Sequence, residues 1–482
     1  MADPPQSVCR VAIVGAGISG LAAAYRLAQA RHAGAPVAAF VLDDAARPGG
    51  LIQTERVQDF LIEGGPDSFL TEKTEAPSLA TELGLGAELI GSNDAARRTY
   101  VLHRGGLAPL PDAFSLFVPR RLSKVVFSPL VPLASKLAAL RERFLRPPGA
   151  AEPRSDEPVS WFVERHFGRG MLDNIAEPLL AAIYGADVER LSVQAALPSF
   201  YALERVYGSL TRGVLMNREE HPDRPLFTTL RGGMQNLVDA LAGALAEPGE
   251  NREPRLLSGR RAARLERRQS GGAKYVLACQ SGEMFEADAV ICALPAPEAA
   301  TLVQAVSSAL AERLEQIRYT PAVTVSLAYS ALSLPSGFGF VVPAKENRRL
   351  LACTFVQSKF PARVPPGRAL LRCFLGGARD PSVIQMQDQD LISAVKRELR
   401  AGLGIDSDPD FFRIYRWPVA MPQYDVGHRD LVREIAEAVG KLPGFFLAGN
   451  AYSGVGISDC IRTANTAAER AVEYARARAQ IV

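Results

Sequence analysis

The chain has 482 residues, of which 48% are hydrophobic and 22% charged, and its formal net charge is +3. That is a globular composition with apolar material for about three domain-sized pieces. So small a net charge argues against a dedicated nucleic-acid binder, and none is expected as a partner. Six cysteines and five histidines are scattered without C-x-x-C or H-x-x-x-H spacing. Free buried thiols are expected, with no zinc site and no disulfide frame.

The first predicted element is an apolar strand, VAIVG (11–15), running into Gly15, Ala16, Gly17, Ile18, Ser19 and Gly20 and then a helix, SGLAAAYRLAQ. No basic segment followed by an apolar one precedes it, so no secretory signal is expected. No run of about 18 uncharged apolar residues occurs, so no spanning helix is expected either. Gly15 makes a tight turn, Gly17 lets backbone approach a pyrophosphate, and Gly20 lets helix and strand pack closely. The helix N-terminus turns free N–H groups toward an anion. A second strand, APVAAFVLDD, ends in Asp43 and Asp44, about 20 residues on, where a carboxylate can take ribose hydroxyls. A dinucleotide on a Rossmann-like unit follows from that spacing.

Arg47, Gly49, Gly50 and Leu51 come next, in AARPGGLIQTE. A glycine pair offers backbone amides. Arg47 supplies either fixed positive charge or an ordinary loop cation. FLIEGGPDSFL (60–70) places Gly64, Gly65, Pro66, Asp67 and Ser68 on a sharp loop, and AARRTYVLHR sets Arg97 and Arg98 before a strand. Residues 111–149 are apolar, proline-punctuated and basic, with Arg120, Arg121, Lys124, Lys136, Arg141, Arg143 and Arg146 against Asp112 and Glu142. Such a region either buries an apolar face in a lipid interface or forms a helical subdomain with a solvated basic face. An exposed loop is expected at 148–158.

FTTLRGGMQNLVDAL (227–241) reads as a Gly-Gly turn entering a helix. Residues 261–295 read as a β-hairpin and then a buried strand, ADAVICALP. Near the C-terminus FFLAG leads through a glycine-rich turn into a long helix beginning near Ser458. Asp459 is either a catalytic acid or a first-turn helix residue. His166 and His428 are expected to be structural, and no general base is evident.

The segment DDAARPGG, together with the C-terminal glycine turn, resembles the flavoprotein amine oxidase superfamily. Asp43 stands where that family usually has Glu. The resemblance implies an α/β fold: a Rossmann-like FAD-binding domain assembled from separated segments, a mixed α+β substrate domain and a helical membrane-associated insertion. The implied boundaries are 1–92, 226–298 and 441–482 for FAD, 93–110, 191–225 and 299–440 for substrate, and 111–190 for the helical part. It implies FAD, held noncovalently because Cys460 lies inside the last helix. The implied cofactor-binding residues are Gly15, Ala16, Gly17, Ile18, Ser19, Gly20, Asp43, Asp44, Arg47, Gly50, Leu51, Gly65, Pro66, Asp67, Ser68, Ala262, Trp417, Gly449, Val455, Gly456 and Ile457. The helix after Gly456 and Ile457 would aim its positive end at the flavin edge that becomes negative on reduction.

FLIEGGPDSFL, LAGNAYSGVGISDCI, PSGFGFVVP (335–343) and MPQYDVGH (421–428) resemble one branch of the superfamily, the protoporphyrinogen IX oxidases. That branch implies removal of six hydrogens from a tetrapyrrole in haem biosynthesis, with oxygen as acceptor and hydrogen peroxide formed; a quinone would use the same flavin. Phe338, Val341 and Phe374 match pocket-lining positions, with core packing as the alternative. Arg98, or Arg97 beside it, would hold a propionate. The branch further implies a cytoplasmic protein peripheral on the inner face of the cell membrane, a homodimer, and hand-over of product to the next haem-pathway enzyme. Competing readings are a carotenoid-type desaturase or amine oxidase, and a non-enzymatic relative of the Rab GDP-dissociation inhibitors.

Overall fold

The computed structural model describes residues 8–112, 114–147, 155–217, 224–246, 255–268 and 274–480. Residues 148–154, most of the expected loop at 148–158, lie outside them.

Five parallel strands form one sheet, in the order Arg255–Leu257, Val37–Leu42, Cys9–Val14, Ala289–Cys292 and Phe445–Leu447. Continuous apolar runs such as VAAFVL and AVIC suit strands covered on both faces. Val11 and Ile13 pack into a layer built by the helices Ile18–His32, Gln235–Ala246 and Ile457–Ala479. Their neighbours Ala12 and Val14 face the opposite layer, as strand alternation requires. That layer contains the strands Ala262–Arg267, Tyr275–Cys279 and Met284–Ala287, and the helices Ala296–Val303 and Ser308–Glu315. The expected hairpin is therefore a three-stranded meander. Gly282, at φ +85°, turns the chain back so that Cys279 N–H meets Glu283 O at 2.9 Å.

A second sheet has seven strands, in the order Phe411–Pro422, Tyr319–Tyr329, Ala369–Gly376, Leu350–Phe355, Gly339–Val341, Thr99–His103 and Gly106–Pro109. Its pairs are antiparallel except Gly339–Val341 with Thr99–His103. One face packs on the helix Asp388–Leu403 through Leu391, Val395 and Leu399. Val341 and Ala352 turn the other way, toward a helical layer.

That layer runs from Leu122 to Met216. One core joins Val125, Phe162, Leu172 and Leu197 to Leu210 and Val214. The boundary expected at residue 190 is thus crossed by continuous packing, because the helices Pro198–Tyr207 and Leu210–Met216 close the same core. A buried polar clasp fixes it. Glu142 accepts from Ser209 Oγ at 3.0 Å and Thr211 N–H at 3.3 Å, and lies 3.2 Å from His166 Nδ1. The other ring nitrogen of His166 faces Glu204 at 3.4 Å. His166 is thus a structural bridge, and leaving one of these buried groups without its partner costs about 1–3 kcal/mol.

Gly20 gives a direct test of the strand–helix packing. A Cβ there would lie 1.8 Å from Gly15 O, whereas one on Gly243 would meet nothing within 4 Å. Gly20→Ala should destabilise by at least about 1–3 kcal/mol. Gly243→Ala should stabilise by about 0.5–1 kcal/mol. Thermal denaturation of both variants measures the contrast.

Candidate flavin and substrate site

The first strand turns at Gly15, φ +102°, and the helix starts at Ile18 with Gly17 as an N-cap that offers no side chain. Its leading N–H groups therefore await a partner from outside the helix. Ile18 and Ser19 are buried. A Cβ on Gly17 would meet nothing within 4 Å, so there is open space on the side that a pyrophosphate would take. The loop 47–51 lies directly against this turn. Gly49 N–H donates to Ala16 O at 2.7 Å, and a Cβ on Gly50 would come 3.2 Å from Gly17 Cα. The guanidinium of Arg47 is occupied by its own loop. It bonds Pro48 O at 3.0 Å, Gly50 O at 2.9 Å, Ile52 O at 2.6 Å and Gln235 Oε1 at 2.9 Å. Arg47 is thus a loop-fastening residue rather than a loose surface cation.

Asp43 accepts from Ala16 N–H, and from Ala45 N–H at 2.7 Å, which ties the strand end to the glycine turn. Each carboxylate oxygen keeps a second lone pair for a ribose hydroxyl. Arg260 N–H bonds Asp43 O at 2.7 Å and brings Ala262 alongside. Asp44 is exposed and pairs with Arg261 at 3.5 Å.

The loop Gly64–Ser68 continues the wall, since a Cβ on Gly65 would lie 1.7 Å from Leu51 O. Gly65, Pro66, Asp67 and Ser68 are half-buried. Trp417 Nε1 donates to Gly64 O at 2.9 Å, beside Thr324 Oγ1 at 2.7 Å. Behind the loop lies a group of charged side chains that the sequence reading missed. Lys359 Nζ reaches Asp67 at 3.0 Å, and Arg363 reaches Glu63 at 2.9 Å and Asp67 O at 3.0 Å. Arg372 donates to Gly65 O and lies 4.7 Å from the centroid of the Phe374 ring. Burial alone would raise the pKa of Asp67, but Lys359, Arg372 and Arg363 together hold it well below the usual carboxylate range. Glu63 is pushed up by burial despite Arg363. No spacing signal could have found this group, because its members stand some 300 residues apart and meet only where two sheets join.

At the C-terminus Gly449 has φ +129°, and Gly456 caps the helix Ile457–Ala479. Asp459 accepts from Gly456 N–H at 3.2 Å and pairs with Lys73 at 2.5 Å and Arg462 at 3.2 Å. It is a first-turn residue with its oxygens engaged, not a free acid. Tyr424 Oη accepts from Gly454 N–H at 2.9 Å and donates to Asn450 O at 2.6 Å, bracing the turn. His428 stacks on Tyr424 at 4.1 Å, and burial lowers its pKa to about 4, so it is neutral and structural.

The glycine turn, the loops at 47–51 and 64–68, and the last helix therefore adjoin one another. An uncapped helix N-terminus, open space at Gly17 and bare backbone along the wall fit FAD. The structure brings Asp43, Gly50, Leu51 and Gly65 to this wall.

Of the expected substrate residues, Val341 pairs with Ala352 and Ala352 with Phe374. Val341 and Phe374 share a face with Val455 from the C-terminal turn. Phe338 is buried and separate, beyond Gly339 at φ +140°; its N–H donates to Arg98 O at 2.7 Å. Arg97 and Arg98 are both exposed, and Arg97 pairs with Asp94 at 3.6 Å. Arg98 has no ion pair among the described residues. At the far end of these strands a cleft of about 390 Å³ is lined by Leu351, Gly376, Lys345, Arg379 and Glu177, among others. All six cysteines are free and buried, and no group of side chains that could hold a metal ion occurs among the described residues.

A parallel sheet with a glycine turn at each end of the chain, joined to a second sheet beside the cofactor wall, defines a flavin-dependent oxidoreductase. The chain belongs to the flavin containing amine oxidoreductase family, whose model matches residues 18–472. It is 31% identical to the coproporphyrinogen III oxidase of Bacillus subtilis, over 96% of this chain and 98% of that one. It is 29% identical to the chloroplastic protoporphyrinogen oxidase 1 of Spinacia oleracea, over 96% of this chain and 84% of that one. A crystal structure from Exiguobacterium sp. 255-15, named for protoporphyrinogen oxidase, superposes with TM-score 0.84 at 29% identity, covering 97% and 99% of the two chains.

Because the chain itself leaves room at Gly17, Gly17→Val should fold with a nearly unchanged melting temperature and yet be colourless. Visible absorption at matched protein concentration, with circular dichroism as the folding control, checks this.

Proposed function

We propose that the chain is an FAD-dependent porphyrinogen oxidase of haem biosynthesis. The observation that carries this reading is the apolar face of Val341, Phe374 and Val455, which runs into the flavin loop at Gly65 through Arg372. A broad, largely apolar macrocycle suits that face. When bound, FAD supplies hydride acceptance and passes the electrons to oxygen. In three rounds the macrocycle loses six hydrogens and three oxygen molecules become hydrogen peroxide. The protein's part is to hold the ring with a reacting carbon about 3–3.5 Å from the acceptor atom, and to exclude water. No side-chain base is required, since a pyrrole N–H can lose its proton later. Noncovalent flavin fits Cys460, whose thiol burial pushes up to about 11, far from a reactive thiolate.

Protoporphyrinogen IX is the substrate the motifs favour. Coproporphyrinogen III is the second reading, favoured by the name of the Bacillus subtilis relative and by similarly named relatives such as that of Staphylococcus aureus. Parallel aerobic assays of both porphyrinogens, following porphyrin fluorescence and peroxide, decide between them. Failure to oxidise either, in protein that carries FAD, would sink the proposal.

Arg98 is proposed to meet a propionate at the pocket rim, because it is exposed, has no ion pair among the described residues, and its backbone carbonyl bonds Phe338 N–H. Once bound substrate covers the pair, losing one partner costs about 2–5 kcal/mol, so Arg98→Ala should lower kcat/KM by at least roughly thirtyfold without changing flavin content. Arg98→Lys should recover part of the loss. An effect on Arg97→Ala alone would move the assignment by one residue.

The helical layer is proposed to dock on the inner face of the cell membrane. No helix among the described residues is long and apolar enough to cross a membrane. Yet Phe127, Leu133 and Phe144 are 87%, 72% and 80% exposed, and Leu137, Trp161, Val206 and Met216 are exposed with them. Arg120, Arg121, Lys124, Arg141, Arg143 and Arg146 are exposed on the same segment, with Lys136 partly so. Apolar side chains ringed by cations suit an anionic lipid interface, where each cation contributes up to about 1 kcal/mol. Vesicle binding should weaken with salt and fall in the triple variant Arg120→Ser, Arg121→Ser, Lys124→Ser; equal binding would remove this segment from the account. A homodimer and product hand-over complete the proposal, with light scattering as the test of the first.

A further inference from the structure

Five charged side chains meet behind the flavin loop: Glu63 and Asp67 against Lys359, Arg363 and Arg372. Arg363 is matched to Glu63 and Lys359 to Asp67. Arg372 is left over, with its nearest carboxylate, Asp67, 3.7 Å away. Its side chain is 5% exposed, and its Nε has no hydrogen-bond partner among the described residues, like that of Arg363. Lys359 Nζ also sits 4.4 Å from the Phe227 ring centroid and 3.3 Å from Ser68 Oγ. A buried cation in excess is costly unless an anion is brought to it.

We propose that Lys359 and Arg372 are positioning residues that hold the Gly64–Ser68 loop and bias the bound flavin toward its reduced, negatively charged form. The inference rests on the flavin reading and goes beyond it, since neither residue belongs to the glycine motifs. A hydride brings two electrons and one proton, so the flavin gains one negative charge as a C–H bond of the macrocycle breaks. The pyrrole proton leaves to solvent, and oxygen later takes two electrons and two protons to become hydrogen peroxide. The excess cation of the cluster compensates the added charge while the electrons reside on the flavin. Arg372 also lies against Phe374, so the group that biases the cofactor supports the face offered to the substrate. Lys359 and Asp67 keep only 11% and 17% of their side-chain surface exposed, so solvent screens them little.

The test is the two-electron midpoint potential of the purified holoprotein, measured by dye equilibration. Arg372→Met and Lys359→Met should each make it more negative. A tenfold loss in the affinity of reduced relative to oxidised flavin corresponds to about 30 mV. Arg372→Lys should restore most of the shift, and Asp67→Asn, which removes an anion, should move the potential the opposite way. Arg313→Gln, at an exposed pair with Glu434, should leave it unchanged. Wild-type potentials in both Met variants would overturn the proposal. If the Met variants do not retain FAD, Asp67→Asn decides, and a zero or negative shift there overturns it. A wild-type protein that binds no FAD would instead defeat the flavin reading.

Discussion

Backbone lies against backbone along the whole cofactor wall, and the rest of the site depends on that constraint. Gly20 meets Gly15 and Gly65 meets Leu51 without room for an intervening side chain, and Gly50 lies close against Gly17. The glycine turn and the loops at 47–51 and 64–68 can then form one surface dense in N–H groups. Side chains act around this surface rather than within it. Arg47 fastens one loop, Asp43 ties a strand to the turn, and Tyr424 braces the C-terminal segment. Each acts on backbone, so each transmits position without occupying the cofactor's space.

The second sheet joins this wall through charge. Arg363 and Arg372 come from the segment 361–376 and reach carbonyls and carboxylates of the loop 63–68. Such buried ion pairs contribute little net stability but are costly to break. Their effect is to fix the substrate face relative to the cofactor loop. A hydride donor must be held to within a fraction of an ångström, so a stiff joint at this place serves the chemistry directly.

The helical layer divides its residues differently. Its interior is an ordinary apolar core closed by the Glu142–His166–Glu204 clasp. Its outer surface keeps large apolar side chains in contact with water, which isolated folding stability does not explain. The clasp holds the shape of this layer beneath that outer face.

The sequence by itself determined the cofactor class and much of the element order. Glycine spacing, continuous apolar strands and a terminal helix are local signals, and the structure realises them within a residue or two at Gly17 and Ile457. The family resemblance grouped Phe338, Val341 and Phe374, whereas strand register places Val341 and Phe374 across Ala352 on one face and leaves Phe338 apart from them. Only tertiary structure decided the rest. The helical core reaching Met216 and the meeting of Asp67 with Lys359 and Arg372 depend on long-range contacts. The two roles open for Asp459 were separated only when its oxygens were seen bonded to Gly456 and Lys73. A periodic pattern records which face of an element is buried. It does not record which distant element covers that face, and here the charges that confront the cofactor loop come from the covering element.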